Sequence, residues 1–417
     1  MAEKTVKIGV YGVGRGQSFA GQAAAMEGVE LVALCDMRQK ALKEFAARFP
    51  GVASYTEYDR FLEHDMDAVV LANYATEHAP AAIQAMQAGK HVQSESIAVK
   101  TMAEAVALVR AVEATGRIYM YAENYCYANT IQEMRRLYRA GELGEFRYGE
   151  GEYVHPISPD TKIWLSPTWD HWRNWMPATY YCTHAMSPIM YVTRTRPVKV
   201  NGFEVPYDFD DPTCTETAKR SDVAGIVLCR MDNGAYAKLL QGHLKCHLTW
   251  CRLYGNRGSV ESLRHGDPGM IRVRKEPWDK KPGEPEEVIY RPEFPEFHEL
   301  ASRSGHGGGD FFMLYEFVKA IRTGEPPYLD VYTGLQMSVL GILAHRSALS
   351  NNQTFDVPSF RKGEELRQYE DDHLSPDPAD PPEHRIPASI LGEIGKSPDV
   401  RAQFEKRARE LRPDWYE

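Results

Sequence analysis

Gly12, Gly14 and Gly16 follow the apolar run Val6-Lys7-Ile8-Gly9-Val10-Tyr11, and a second apolar run, Leu31-Val32-Ala33-Leu34-Cys35, closes on Asp36. These residue types at this spacing suit the capture of a pyrophosphate. Gly12 permits a tight strand-to-helix turn, and Gly14 lets the backbone approach the anion. The helix after the turn, with Arg15, Gly16 and Gln17 at its start, points free N–H groups toward it. Asp36, ending the second strand, is placed to accept both hydroxyls of an adenosine ribose. A carboxylate there repels a 2′-phosphate, which favours NAD over NADP, although Arg38 tempers that preference. The pattern departs from G-x-G-x-x-G in its third glycine: Gln17 holds that position and Gly16 comes one place early. The rival reading is a tight turn that binds nothing.

The elements around this motif predict a doubly wound α/β domain over residues 1–125. Strands are expected at Val6–Tyr11, Leu31–Cys35, Ala68–Leu71, His91–Ser94 and Ile118–Ala122. Helical periodicity runs through Ser18–Met26, Gln39–Phe49, Pro80–Ala88 and Ala103–Thr115, with Gly89 and Gly116 where C-terminal caps belong. Residues 126–363 predict an α+β domain. It has a helix at Asn129–Ala140 and a strand at Glu145–Val154. An open, mostly antiparallel sheet comes next, from Val198–Glu204, Ala224–Met231, Ala235–Leu240, His247–Tyr254 and Ser259–Glu261, closed by helices Asp310–Arg322 and Tyr332–Ser350. Residues 364–417 read as a charged, proline-punctuated tail with one late helix, and the acidic run Glu284–Glu287 as a solvated loop.

Composition bounds the function. A 417-residue chain with 43% hydrophobic and 26% charged residues has room for two cored domains. Lys+Arg 49 against Asp+Glu 58 leaves a net −9, with no basic field for nucleic acid or an anionic membrane. The chain enters its first strand directly and has no membrane-length apolar run, which predicts a cytoplasmic protein. Its seven cysteines form no C-x-x-C pair and read as reduced core thiols. His243, Cys246 and His247 alternate along an expected strand, which argues against a metal site, and none is expected elsewhere.

The segment Asp67-Ala-Val-Val-Leu-Ala-Asn73-Tyr-Ala-Thr-Glu-His78-Ala-Pro, with Ala88-Gly-Lys-His91-Val-Gln-Ser-Glu95-Ser96-Ile97 after it, resembles the Gfo/Idh/MocA oxidoreductase family. The likeness runs from about residue 5 to residue 362. Two departures stand out. The family's Glu-Lys-Pro is Glu95-Ser96-Ile97, so the lysine that helps deprotonate a substrate hydroxyl is a serine. Tyr180 occupies the aspartate of the Asp-x-x-x-His pattern ending at His184. Tyr121–Tyr127, Glu150–His155, Tyr181–His184 and His306–Phe311 are similar instead to the family's NAD-dependent glycoside hydrolases, the α-N-acetylgalactosaminidase-like branch.

That resemblance implies NAD as a recycled catalyst: a sugar C3 hydroxyl is oxidised, the C2 proton is removed, the C1 aglycone is eliminated, water adds and the hydride returns. It implies Gly14, Arg15, Asp36, Asn73, Ala75, His78, Glu95, Ser96 and Asn124 as the cofactor lining. His184 suits the C3 hydroxyl proton. Tyr153 suits the C2 proton if a neighbouring charge lowers its pKa, and Tyr181 and Glu123 are partners that orient substrate or stabilise an enolate. Trp172, Arg173, Tyr181 and Thr183 are candidate sugar contacts, although the tryptophan cluster equally suits domain packing. Glu152 and His155 alternate away from Tyr153 along a strand. A net sugar dehydrogenase and a non-catalytic NAD- and sugar-binding sensor are the competing readings. The family also implies self-association through the second sheet.

Overall fold

The apolar run at the start of the chain becomes the innermost strand of a parallel sheet, its Ile8 and Val10 fully buried. The computed structural model describes residues 5–294 and 296–416. Six parallel strands, β1 (Val6–Tyr11), β2 (Val29–Cys35), β3 (Ala53–Tyr55), β4 (Ala68–Leu71), β5 (His91–Glu95) and β6 (Tyr119–Ala122), lie in the order 3-2-1-4-5-6. The crossovers carry α1 (Gly16–Ala25), α2 (Gln39–Ala46), α3 (Tyr58–Leu62), α4 (His78–Gln87) and α5 (Met102–Thr115). Strand order reverses between β1 and β4, which opens a crevice beyond their carboxyl ends where ligands of such sheets bind. Thr101 caps α5 by accepting from the Glu104 N–H, and Gly116, at φ 61°, ends it. β3 and α3 carry no sequence signal because three and five residues show no usable period.

The second domain comprises α6 (Asn129–Arg139), β7 (Phe146–Val154), α7 (Pro159–Leu165), α8 (Thr183–Thr193), β8 (Pro197–Val205) and α9 (Pro212–Thr215). Then come β9 (Ala224–Met231), β10 (Tyr236–Gly242), β11 (Leu248–Gly255), β12 (Ser259–Ser262), β13 (Ile271–Arg274) and β14 (Glu287–Tyr290). The helices α10 (His298–Ser302), α11 (Gly309–Thr323) and α12 (Val331–Leu349) and the edge strand β15 (Phe355–Asp356) complete it. The nine strands form one open sheet in the order 14-13-12-11-7-10-9-8-15, antiparallel except where β7 pairs with β10. This is the α/β-plus-α+β architecture expected. Gly151 in β7 sets how closely α8 approaches the sheet. A Cβ there would meet the Ala185 carbonyl oxygen at 2.0 Å, so only glycine lets the start of α8 lie against β7.

Several local expectations need correction. The segment 243–247 is a turn between β10 and β11, with Cys246 exposed and at φ 70°; the other six cysteines are buried. Among the described residues no group of three or more metal-ligating side chains comes together. Glu287 opens β14 rather than extending a loop, and it pairs with Arg272 and Arg274. The tail has two helices, α13 (Gly363–Tyr369) and α14 (Pro398–Leu411), and it is stitched to the body. Lys100 Nζ pairs with Asp377 and Asp380 at 3.0 and 2.8 Å, and the Ser389 hydroxyl donates to buried Asp222 at 2.6 Å. No helix among the described residues is long and apolar enough to cross a membrane.

Candidate active site

The end of β6, the start of α8 and β7 bring four of the sequence candidates together: Glu123, Thr183, His184 and Tyr153. Glu123 comes directly after β6, and its side chain is fully buried beneath the ring of His184, the second residue of α8. His184 Nδ1 lies 2.9 and 3.0 Å from the two carboxylate oxygens. Against a carboxylate this nitrogen donates, so in the neutral ring Nε2 is the nitrogen free to accept. The Thr183 hydroxyl donates to Glu123 at 2.7 Å and the Tyr125 N–H at 3.2 Å. Burial raises the Glu123 pKa, but His184, Thr183 and Tyr125 outweigh it, and the carboxyl stays below its ordinary value. An ionised carboxylate thus holds an imidazole whose free nitrogen can accept a proton.

Phenols crowd that imidazole. Its centroid lies 4.7 Å from Tyr153, 5.0 Å from Tyr125 and 5.3 Å from Tyr181. The Tyr181 hydroxyl donates to the Ser96 carbonyl at 3.4 Å, and the Ser96 hydroxyl lies 3.5 Å from Glu123. The serine that replaces the family lysine therefore sits beside the dyad, bringing no ammonium group with it. Arg173 stacks 4.2 Å over Trp172 and 5.6 Å from Tyr181, and forms no ion pair among the described residues.

Four roles change. Glu123 and Thr183 are fully buried and bonded to each other, so neither contacts a sugar or an enolate; both position His184. Burial, reinforced by Tyr125 and Tyr181, pushes the Tyr153 phenol well above its ordinary value, with Arg173 pulling the other way. The neighbouring charge that was to lower it does not prevail. Trp172 is 7% exposed and stacks on Tyr181 at 5.8 Å, so it buttresses that ring rather than offering an open face. Tyr125, His155 and His247 join the site without having been marked by the sequence. β7 ends at Val154, so the alternation expected of His155 fails, and its ring lies 5.7 Å from Tyr153 and 4.9 Å from His247.

The cofactor candidates converge at the crevice between β1 and β4. Gly12, at φ 97°, abuts the Ala72 carbonyl so closely that a Cβ would sit 2.4 Å from its oxygen. Gly14 is exposed, with only the Arg38 guanidinium near it. Gly16 packs under Val10 and takes the part of the displaced third glycine, while the Gln17 side chain turns outward to Arg48 and lines nothing. Asp36 accepts from the Val13 and Arg38 N–H groups and from the Arg38 guanidinium. Arg15 binds Glu95 at 2.7 Å and Asp310 through both terminal nitrogens, which ties the glycine turn to α11. Ala75 is buried at the turn before α4. Both amide atoms of Asn73, Nε2 of His78 and Oδ1 of Asn124 are buried without partners among the described residues. Unsatisfied polar atoms cost about 1–3 kcal/mol each, and a dinucleotide laid along this crevice would satisfy them. The residues present fit NAD.

Residues 6–123 match the profile of an oxidoreductase family with an NAD-binding Rossmann fold, Gfo/Idh/MocA, and residues 271–367 match the carboxy-terminal domain of glycosyl hydrolase 109. The chain is thus similar to the Gfo/Idh/MocA oxidoreductases in its first domain and to glycosyl hydrolase 109 proteins over most of its length. A glycosyl hydrolase family 109 protein of Saccharopolyspora erythraea is 27% identical, covering 87% of this chain and 84% of that one. An α-N-acetylgalactosaminidase of Shewanella oneidensis is 27% identical, covering 86% of each. In fold, the chain resembles a levoglucosan dehydrogenase solved with NADH, at a TM-score of 0.73 and 20% identity, covering 85% of this chain and 99% of that one. These findings support an NAD-dependent enzyme, which sets the sensor reading aside.

Proposed function

We propose that this enzyme cleaves a glycoside by C3 oxidation, elimination across C1 and C2, addition of water and reduction, with NAD recycled. The observation that carries the proposal is the Glu123–His184 dyad opening onto Tyr153 in a family 109 framework that lacks the dehydrogenase lysine. Bound NAD would supply the acceptor for the hydride of the sugar carbon and its donor in the final reduction. His184 Nε2 takes the hydroxyl proton at C3, and the carboxylate of Glu123 stabilises the imidazolium that results. Tyr153, the ring nearest His184 at 4.7 Å, takes the C2 proton, with Arg173 as the neighbour that favours phenolate. Tyr181 and Arg173 hold the sugar's oxygens. Gly14, Arg15, Asp36, Asn73, Ala75, His78, Glu95, Ser96 and Asn124 line the cofactor.

One observation favours a second reading, net sugar dehydrogenation. Oxidation of a hydroxyl needs only the dyad, whereas elimination needs the raised phenol of Tyr153 to ionise. Incubation with a panel of nitrophenyl glycosides decides between them. Release of nitrophenol without accumulating NADH is the expected result. NADH formation with free sugars and no aglycone release would overturn it.

The same proposal places the enzyme in the cytoplasm, a location that six buried free thiols support. It also includes a homo-oligomer formed through the nine-stranded sheet, whose strands expose Phe203, Leu228 and Tyr236.

A further inference from the structure

Residues 412–416 cross from the second domain to the adenosine end of the cofactor crevice. The helix before them, α14, is anchored on α7: Phe404 and Ala408 bury against Ile163 and Ala218, and Arg407 holds Asp160 at 3.0 and 2.8 Å. Arg412 donates to the Trp164 carbonyl at 2.9 Å and clamps Asp414 through two bonds of 2.8 Å. Asp414 in turn reaches Arg38 at 3.4 Å, and Arg38 is the residue chelated by Asp36, the ribose carboxylate. The Trp415 ring lies beneath the Arg38 guanidinium, 4.7 Å away, and stacks on Tyr74 at 5.9 Å with 16° between planes. Tyr74 sits between two cofactor residues, Asn73 and Ala75. The indole Nε1 of Trp415 is buried without a partner among the described residues, like both amide atoms of Asn73 and Oδ1 of Asn124.

We infer that Asp414 and Trp415 are part of the NAD site, closing over the adenosine half of the cofactor. Tyr74, Trp415 and Arg38 form a continuous stack beside Asp36, a surface suited to a purine. The unpartnered indole N–H supplies a donor where a nucleoside offers acceptors. A segment rooted on one domain and bonded to the other also keeps the crevice closed while the sugar is turned over, which suits a cofactor that is recycled rather than exchanged. The inference rests on NAD dependence and holds whether the net reaction is glycoside cleavage or dehydrogenation.

Calorimetric titration of the full-length protein, freed of nucleotide, with NAD, AMP and nicotinamide mononucleotide tests this. Trp415→Ala is expected to weaken NAD and AMP binding about tenfold or more, leaving the mononucleotide unaffected. Trp415→Phe, which keeps the ring but lacks the N–H, falls between. Unchanged NAD and AMP affinities in both variants would overturn the inference. So would an equal loss for all three ligands, which marks a role in general folding. Because the readout is cofactor binding, its failure is separate from failure of the proposed reaction.

Discussion

His184→Ala is expected to lower turnover of any accepted glycoside by roughly 10²–10⁴-fold, with NAD affinity little changed. Glu123→Gln should fall nearly as far, for a different reason. The glutamine amide can donate to Nδ1, which moves the ring proton to Nε2 and removes the acceptor that faces the substrate. Both variants keep Thr183 and the N-terminus of α8 in place, and the double variant should be scarcely worse than either single one, since the two residues act as a unit. Steady-state rates together with NAD titration check this. A Glu123→Gln enzyme with near-wild-type rates would remove the carboxylate from the mechanism.

The second large effect belongs to Tyr153. Tyr153→Phe should abolish aglycone release to a similar degree while sparing NAD binding. Hydroxyl oxidation survives in such a variant, because that step uses His184. The wild-type pH profile carries the companion expectation. Burial and two neighbouring phenols raise the Tyr153 pKa, so the basic form is scarce near neutrality and grows with pH. Where proton removal from C2 limits turnover, the rate should climb with pH through the alkaline range without levelling off on account of this group. Arg173→Met, which removes the neighbour that lowers the phenol, should depress the rate further at any fixed pH. A profile flat from neutral to alkaline pH, with Tyr153→Phe inactive, would assign the phenol to binding rather than proton transfer.

Much of this site is legible in the sequence because its signals are local. The glycine turn, Asp36, and the pairing of Tyr181 with His184 at a helix start are short-range patterns, and the long strands and helices announce themselves by period. Burial direction is not legible. Glu123 and Thr183 read as polar residues near a reaction centre, yet both point behind the imidazole. Nothing in one dimension distinguishes a carboxylate that meets substrate from one that meets His184. Tyr125 follows the candidate cofactor residue Asn124 and has no spacing of its own to mark it. His155 breaks the expected alternation because β7 stops one residue short of it. Trp415 is separated from Tyr74 and Arg38 by more than 300 residues, and only the anchoring of α14 on α7 brings it to them.

The most direct test is turnover in heavy water of a glycoside that the enzyme accepts, with the released sugar analysed by mass and NMR. Elimination and subsequent addition of water predict one carbon-bound deuterium at C2 of every product molecule and hydrogen retained at C3. A product with protium at C2, released at the full rate, would mean direct displacement at C1 and would contradict the mechanism built on His184 and Tyr153.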